Sequence, residues 1–452
     1  MPAPSHPALR SGARGVLTMA LYQLVFCVGF LCYLPVLAWR ALFDRRYRSG
    51  FRQRMGRIDI ARTGGDVVWI HGVSVGEIKA ATNIIARLRH DRPDLQIVLS
   101  STTPNGHQIA RQEHKDLQVV FYPLDFGPCP GRALDRVRPR CVLLMELEIW
   151  PNFLQAAARR GIPVAVINGR ISERTFRGYR RARGLLPQLD LIQTYCVQDA
   201  SYQTRLLELG VDPARVFVTG NMKYDAVAMG GQPDAGGALR RWLAPDDRIV
   251  LVAGSTHADE ETWLCEAVPR ATGDERVRLV LVPRHPERAA SVCEAVRQQD
   301  RLPVRWSETE QGSRPLRRDA VLVVDTIGQL QRFYGACDLA FVGGSLIKHG
   351  GQNMLEPAAQ GRAVVFGPHT FNFRTDVELL LRAGAAIQVA DRGELAAVLT
   401  GLIRDRQRRI ELGSRARAVI AENQGATQRT LEHIATLLGA PLQAGTPTST
   451  PR

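Results

Sequence analysis

Short apolar runs alternate along the chain with longer stretches of helical spacing. The first series reads DVVWIHGV, LQIVLSST, LQVVFYPL, CVLLMELE, PVAVINGR, LIQTYCVQ and RVFVTGN. A second series reads RIVLVAGST, VRLVLVPR, AVLVVDT, LAFVGGS, AVVFGP and AAIQVA. Near-continuous apolar strands joined by helices imply parallel sheets buried on both faces. The loop-like stretch GGQPDAGG separates the two series. The pattern therefore predicts an α/β protein with two doubly wound, Rossmann-like domains facing a cleft. They span 61–222 and 248–438, with a linker at 223–247 and a disordered Pro/Thr-rich tail at 439–452. Ligands of such sheets bind beyond the carboxyl ends of the strands.

Residues 1–60 have a different pattern. Gly15 to Trp39 is free of charge for 25 residues. As a helix it would reach about 38 Å, enough to cross roughly 30 Å of hydrocarbon. Arg10 and Arg14 precede it, while Arg40, Arg45, Arg46, Arg48, Arg52, Arg54 and Arg57 follow. The heavier basic flank lies on the C-terminal side, which places the body of the protein in the cytoplasm. Residues 1–60 thus read as an N-terminal apolar anchor helix with a basic juxtamembrane segment. Pro35 also allows a kinked segment lying in one leaflet. A buried core helix fits less well, because the run has no polar face.

Of 452 residues, 45% are apolar and 23% charged, which excludes wholesale disorder. Fifty-nine basic against 44 acidic residues leave a net charge of +15. An anionic partner follows: nucleic acid, an acidic lipid surface or a phosphorylated substrate. Nucleic acid is disfavoured, because no nucleic-acid module is present and a membrane anchor is a poor companion for one. The eight cysteines are scattered with no CxxC and no zinc-ligand spacing, as expected of buried small hydrophobes in a reducing compartment. The chain has no Walker A, GxGxxG, HExxH or DxD motif, so neither a metal nor a cofactor is expected.

Candidate chemistry gathers at strand ends. Ser74 and Gly76 occupy a strand-to-helix turn open to a ligand, and Glu77 falls in the first helical turn. Glu77 is either a capping carboxylate or a general base. Glu146 and Glu148 stand two apart, on one face if the strand continues, either paired with arginine or functional. Residues 170–183 carry six arginines, among them Arg170, Arg174 and Arg177, which suit a phosphorylated partner or a solvated helix face. In the second half, Ser255 and Thr256 open one turn, and Arg284 and His285 end a strand. Gly344, Ser345, Lys348, Gly351 and Asn353 form a plausible phosphate cradle. Glu356, one turn further, can accept both hydroxyls of a ribose.

These motifs together resemble the 3-deoxy-D-manno-octulosonic acid (Kdo) transferases of lipopolysaccharide synthesis, membrane-associated inverting glycosyltransferases of the GT-B fold. The resemblance rests on WIHGVSVGE, YPLDF, MELEIWPN, RISERTFRGYRR, GNMKYD, AGSTH, PRHPER, GGSLIKHGGQNMLEPAA and FGPHTFNF. It runs from the apolar N-terminus to about Asn372. Leu147 stands where the family commonly has threonine, and Met354 where it usually has proline. The resemblance implies CMP-Kdo as donor and the lipid A precursor of the inner membrane as acceptor, with no known protein partner. Glu77 matches the family's catalytic carboxylate, which would activate the acceptor's 6′-hydroxyl. Glu148 and Glu146 would position acceptor or sugar. Arg284 and the backbone N–H groups around Ser345 and Asn353 would meet the charge on departing CMP, and Glu356 would hold its ribose. Ser74, Gly76, Lys223 and the arginines of 170–183 would serve the acceptor and its phosphates. Two other readings are a membrane-associated GT-B transferase using a UDP-sugar and a non-enzymatic tethered binder of acidic lipids.

Overall fold

The computed structural model describes residues 50–439, apart from 182, 184–186, 228–232, 247, 269–276 and 311. The chain divides into two compact units, residues 1–226 with 424–452 and residues 227–423. The anchor expected at Gly15–Trp39 and the tail beyond Gly439 lie outside the described residues. No described helix is long and apolar enough to cross a membrane.

The first unit holds seven parallel strands: β1 Val67–His71, β2 Gln96–Ser101, β3 Gln118–Phe121, β4 Cys141–Met145, β5 Val164–Gly169, β6 Thr194–Val197 and β7 Val216–Val218. Their order is β3-β2-β1-β4-β5-β6-β7, so the winding reverses between β1 and β4. Side chains alternate by two, as a buried sheet requires. Val68 and Ile70 join one core with Ile78, Ile84 and Leu88 of the helix Val75–Asp91. Val67 and Trp69 face the opposite core with Val98, Leu144 and Phe153.

The second unit repeats the plan with β8 Ile249–Thr256, β9 Val277–Pro283, β10 Leu302–Arg305, β11 Ala320–Val323, β12 Leu339–Val342, β13 Ala363–Phe366 and β14 Ala386–Gln388. The order is β10-β11-β9-β8-β12-β13-β14, reversing between β8 and β12. Sequence pattern foresees thirteen of these fourteen strands. The missing one, β10, is half-buried throughout, interrupted by Pro303, and lies at the sheet edge where proline is tolerated.

Three expected boundaries change. Residues 50–60, expected as part of the basic juxtamembrane segment, pack on the first unit. Ile58 is fully buried in the first unit's core, Gln53 accepts the Phe121 N–H, and Arg54 lies over the Phe121 ring while donating to the Thr102 carbonyl. The expected linker contains a helix, Pro233–Leu243, which starts on a proline pre-set for the first helical position. Its Leu239 and Leu243 are buried with Trp306 and Phe333. The second unit ends at Asn423 rather than 438. The helix Ala426–Leu438 returns to the first unit, where Leu431, Ile434 and Leu438 complete the core around Ile70 and Ile78. The six described cysteines are all buried and free.

Candidate active site

Two groups of ionisable side chains collect at the two reversal points, one in each unit. In the first unit, β1 runs into the turn Gly72–Ser74 and then the helix Val75–Asp91. Ser74 is the helix N-cap and Glu77 its third residue, forming a capping box. The Glu77 carboxylate accepts the Val73 N–H at 2.7 Å, the Ser74 hydroxyl at 2.7 Å and the Ser74 N–H at 3.2 Å. The capping reading of Glu77 is therefore realised in the fold. Three accepted bonds fill most of an ionised carboxylate's roughly four acceptor positions and leave room for one more. Gly76 lies in the first turn, exposed beside Ser74.

Glu146 and Glu148 follow β4, the neighbour of β1 across the reversal. The expected continuing strand is absent: it stops at Met145, and Glu146 adopts a left-handed φ of 55° that non-glycine residues rarely take. Both carboxylates are nonetheless half-buried. Arginine pairing is slight, since the Arg170 Nε lies 3.9 Å from Glu146. Burial, then the charges of Glu77 and Glu146, push the Glu148 carboxyl up to about 7. Burial also raises Glu146, with Arg170 opposing. The helix Glu173–Arg181 brings half-buried Tyr179 to this cluster, its phenol pushed up to about 12 by burial and by the Glu148 charge. Tyr179 escaped notice among the arginines of its motif.

Around the cluster, other motif residues build structure. Asp125 of YPLDF caps the helix Pro151–Arg159 by accepting the N–H groups of Asn152 at 3.0 Å and Phe153 at 2.7 Å. Arg174 and Arg177 are exposed on their helix, and Arg177 pairs with Glu173 at 3.0 Å. Lys223 lies half-buried with its ammonium 5.3 Å from the Tyr224 ring.

In the second unit, Ser255 is strained at φ 55° in the turn ending β8. Gly343 permits this turn, because a Cβ there would meet the Ser255 carbonyl oxygen at 2.5 Å. Thr256 is fully buried and donates to Glu261, which pairs with Arg288 at 2.9 Å. The glycine-rich stretch after β12 is not an open phosphate cradle. Glu260, fully buried, accepts the N–H groups of Gly344 at 2.7 Å, Ser345 at 3.1 Å, Leu346 at 3.1 Å and His257 at 3.0 Å. Ser345 is likewise buried, its hydroxyl donating to Val342 and accepting from Gly367. The expected contribution of the N–H groups around Ser345 is thus already taken by an internal anion.

Outside this locked turn the side chains remain accessible. Arg284, His285 and Lys348 are exposed. The Asn353 amide donates to Glu356 at 3.0 Å and accepts the Leu355 N–H at 3.1 Å, which orients the half-buried Glu356. Gly351 is buried and donates its N–H to the Gly344 carbonyl at 2.8 Å. His257, His285 and His349 were not read together from sequence, yet the His257 ring lies 4.1 Å from His349 and 6.2 Å from His285. An acidic group able to accept a proton therefore sits in one unit and a cationic group able to hold an anion in the other.

Residues 49–226 match the family described as 3-deoxy-D-manno-octulosonic-acid transferase (kdotransferase). The chain is 32% identical over 407 residues to a 3-deoxy-D-manno-octulosonic acid transferase of Haemophilus influenzae, covering 89% of this chain and 94% of that one. It is 32% identical over 450 residues to the enzyme of the same name from Bordetella pertussis, covering 94% and 100%. In fold it is similar to the UDP-GlcNAc 2-epimerase of Neisseria meningitidis, at TM-score 0.51 and 14% identity over 82% of this chain and 100% of that one. With identity at this level along almost its whole length, the chain belongs to the 3-deoxy-D-manno-octulosonic acid transferases and is a glycosyltransferase.

Proposed function

We propose that this protein transfers Kdo from CMP-Kdo to the 6′-hydroxyl of the lipid A precursor, with inversion at the anomeric carbon and without a metal. The observation that carries this reading is the cluster of Glu77, Glu146 and Glu148 at the reversal of the first sheet. Glu77 takes the hydroxyl proton through its remaining acceptor position. The acceptor oxygen forms the new bond to Kdo C2. The bond from C2 to the phosphate oxygen breaks, and CMP departs with the electron pair from the opposite face. CMP leaves as a phosphate monoester anion, so a strong general acid is unnecessary. Glu148, with Glu146 beside it, positions the acceptor or the sugar ring. Arg284 and Lys348 meet the donor's negative charge. Glu356, oriented by Asn353, accepts the ribose hydroxyls.

The acceptor is a phosphorylated lipid, and the same reading assigns the protein to the cytoplasmic face of the inner membrane through its apolar N-terminus. Arg170, Arg174 and Arg177 are exposed and suit lipid phosphates. Ser74 and Gly76 line the approach to Glu77, and Lys223 serves the acceptor. Mass spectrometry of lipid A precursor incubated with the purified protein tests the reading. CMP-Kdo should add the mass of one or more Kdo units, and UDP-sugars should add nothing. Transfer only from a UDP-sugar, or lipid binding without transfer, overturns it.

A further inference from the structure

Three loops leave the C-terminal ends of the adjacent strands β9, β8 and β12, and each delivers one histidine to the same place. His257 and His349 tilt toward each other at 4.1 Å between ring centroids, with His285 edge-on to His257 at 6.2 Å. Gly344 lies against both of the first two rings. A Cβ there would lie 3.4 Å from both rings, and the backbone holds a φ of 67° that favours glycine. Among the described residues no His, Cys, Asp or Glu group has the geometry to hold a metal ion, so these rings do not converge as ligands to one cation.

The charges facing the trio are mostly positive. Arg284 is exposed beside His285, and Lys348 beside His349. The nearby carboxylates of the helix Glu260–Ala267 are engaged: Glu260 on the four backbone N–H groups, and Glu261 on Thr256 and Arg288. Two exposed acidic groups remain on these loops: Glu287, 3.6 Å from His285 Nδ1, and Asp259, two residues after His257. An anion arriving here finds the glycine-rich N–H groups occupied and the cationic side chains available.

We propose that His257, His285 and His349, with Arg284, form the site for the paired phosphodiester and carboxylate of the donor, and that His257 takes up a proton as it binds. The inference rests on CMP-Kdo being the donor, whose two negative groups are attached to the same carbon. In the free protein, burial and the surrounding positive charges push His257 down to about 4, so it is neutral near pH 7. A bound dianion reverses the electrostatic part of that shift. By linkage, affinity must then rise as pH falls. A nucleotide sugar whose sugar lacks the carboxylate would recover less of this gain, which makes the trio a specificity device.

Isothermal titration of the full-length protein in detergent tests this, with cytidine 5′-methylphosphate as probe. Its single phosphodiester charge stays fixed between pH 5 and 8. Binding should weaken about five- to tenfold from pH 5.5 to 7.5, and heats in buffers of different ionisation enthalpy should report proton uptake. His257→Gln and His349→Gln should each bring the pH 5.5 affinity down toward the pH 7.5 value and flatten the profile. KM for CMP-Kdo should follow the same pattern. Affinity independent of pH, absence of proton uptake, or unaltered profiles in both variants overturns the inference. The proton count on the unmutated protein stands even where a variant folds poorly. If CMP-Kdo supports no transfer, the proposed function fails and takes this site with it. If transfer proceeds with donor binding indifferent to pH, the histidine site alone fails.

Discussion

The carboxylate of Glu260 accepts the backbone N–H of Gly344 at 2.7 Å, 84 residues further along the chain. Together with the bonds from Ser345, Leu346 and His257, this makes a buried side chain the anion of a backbone nest. Such a nest elsewhere binds phosphate. Here it ties the turn after β8 to the turn after β12, the two loops that carry His257, Lys348 and His349.

Removing that carboxylate should cost the second unit heavily. Glu260→Ala strands four N–H donors in a site with no solvent exposure. Each unsatisfied donor costs about 1–3 kcal/mol, reduced where water refills the space. A net loss of about 3 kcal/mol or more is expected in urea unfolding. Glu260→Gln keeps the shape and one acceptor oxygen but turns an amide donor toward N–H groups, so an intermediate loss should appear. A loss under about 0.5 kcal/mol in the alanine variant would deny Glu260 this tying role.

Glu77 has a structural and a proposed chemical duty, and the two are separable. Loss of the capping box costs about 1 kcal/mol of stability. Loss of a general base costs about 10²- to 10⁴-fold in rate. Glu77→Gln should therefore lower kcat at least about a hundredfold while shifting the unfolding midpoint only slightly. Donor affinity should hold. A variant that turns over at the unmutated rate removes Glu77 from the chemistry and leaves it a cap.

Both sheets were legible because their central strands are buried on two faces and leave near-continuous apolar runs, as Val67–Ile70 and Leu279–Val282 do. Strand β10 was not, because half-burial and Pro303 erase that signal. The Glu77 capping box could be read from Ser74 and its spacing. The role of Glu260 could not, since three of its four partners are backbone atoms 84 to 86 residues away. The histidines were equally hidden: AGSTH, PRHPER and IKHGG each show one ring, and only the order β9-β8-β12 joins them. The destination of the final helix was obscured for the same reason. Its apolar face is plain, but nothing local says which sheet it covers.

Asp225 marks that return. Its two carboxylate oxygens accept the N–H groups of Gly425 at 2.7 Å and Thr427 at 2.6 Å, capping from 200 residues away a helix whose own Gly425 has no side chain to do so. Asp225→Ala should destabilise the first unit by about 1–2 kcal/mol, in the range of a lost N-cap. Hydrogen exchange should locate the effect, with faster exchange through Ala426–Leu438 and little change in β8–β14. Uniform protection across the helix in the variant would show that packing of Leu431 and Ile434 alone holds it.

Glu148 should leave a signature in both stability and rate. Its carboxyl lies near 7 in the folded protein, against about 4.3 in an unfolded chain. The folded state thus binds the proton more tightly. The associated stability is fully present below about pH 4 and is lost as pH rises through 7. Glu148→Gln cannot ionise and keeps the neutral form at every pH. At pH 8 it should be more stable than the unmutated protein by about 1–3 kcal/mol, and at pH 4 no different. If the neutral acid positions the acceptor by donating a hydrogen bond, the unmutated rate should fall on the alkaline side of about pH 7, and the glutamine variant should flatten that limb. Scanning calorimetry at the two pH values checks the first outcome and a pH–rate profile the second. Equal melting temperatures at pH 8 would mean that Glu148 ionises in the folded protein as easily as in water. The electrostatic description of the Glu77, Glu146 and Glu148 cluster would then be wrong at its centre.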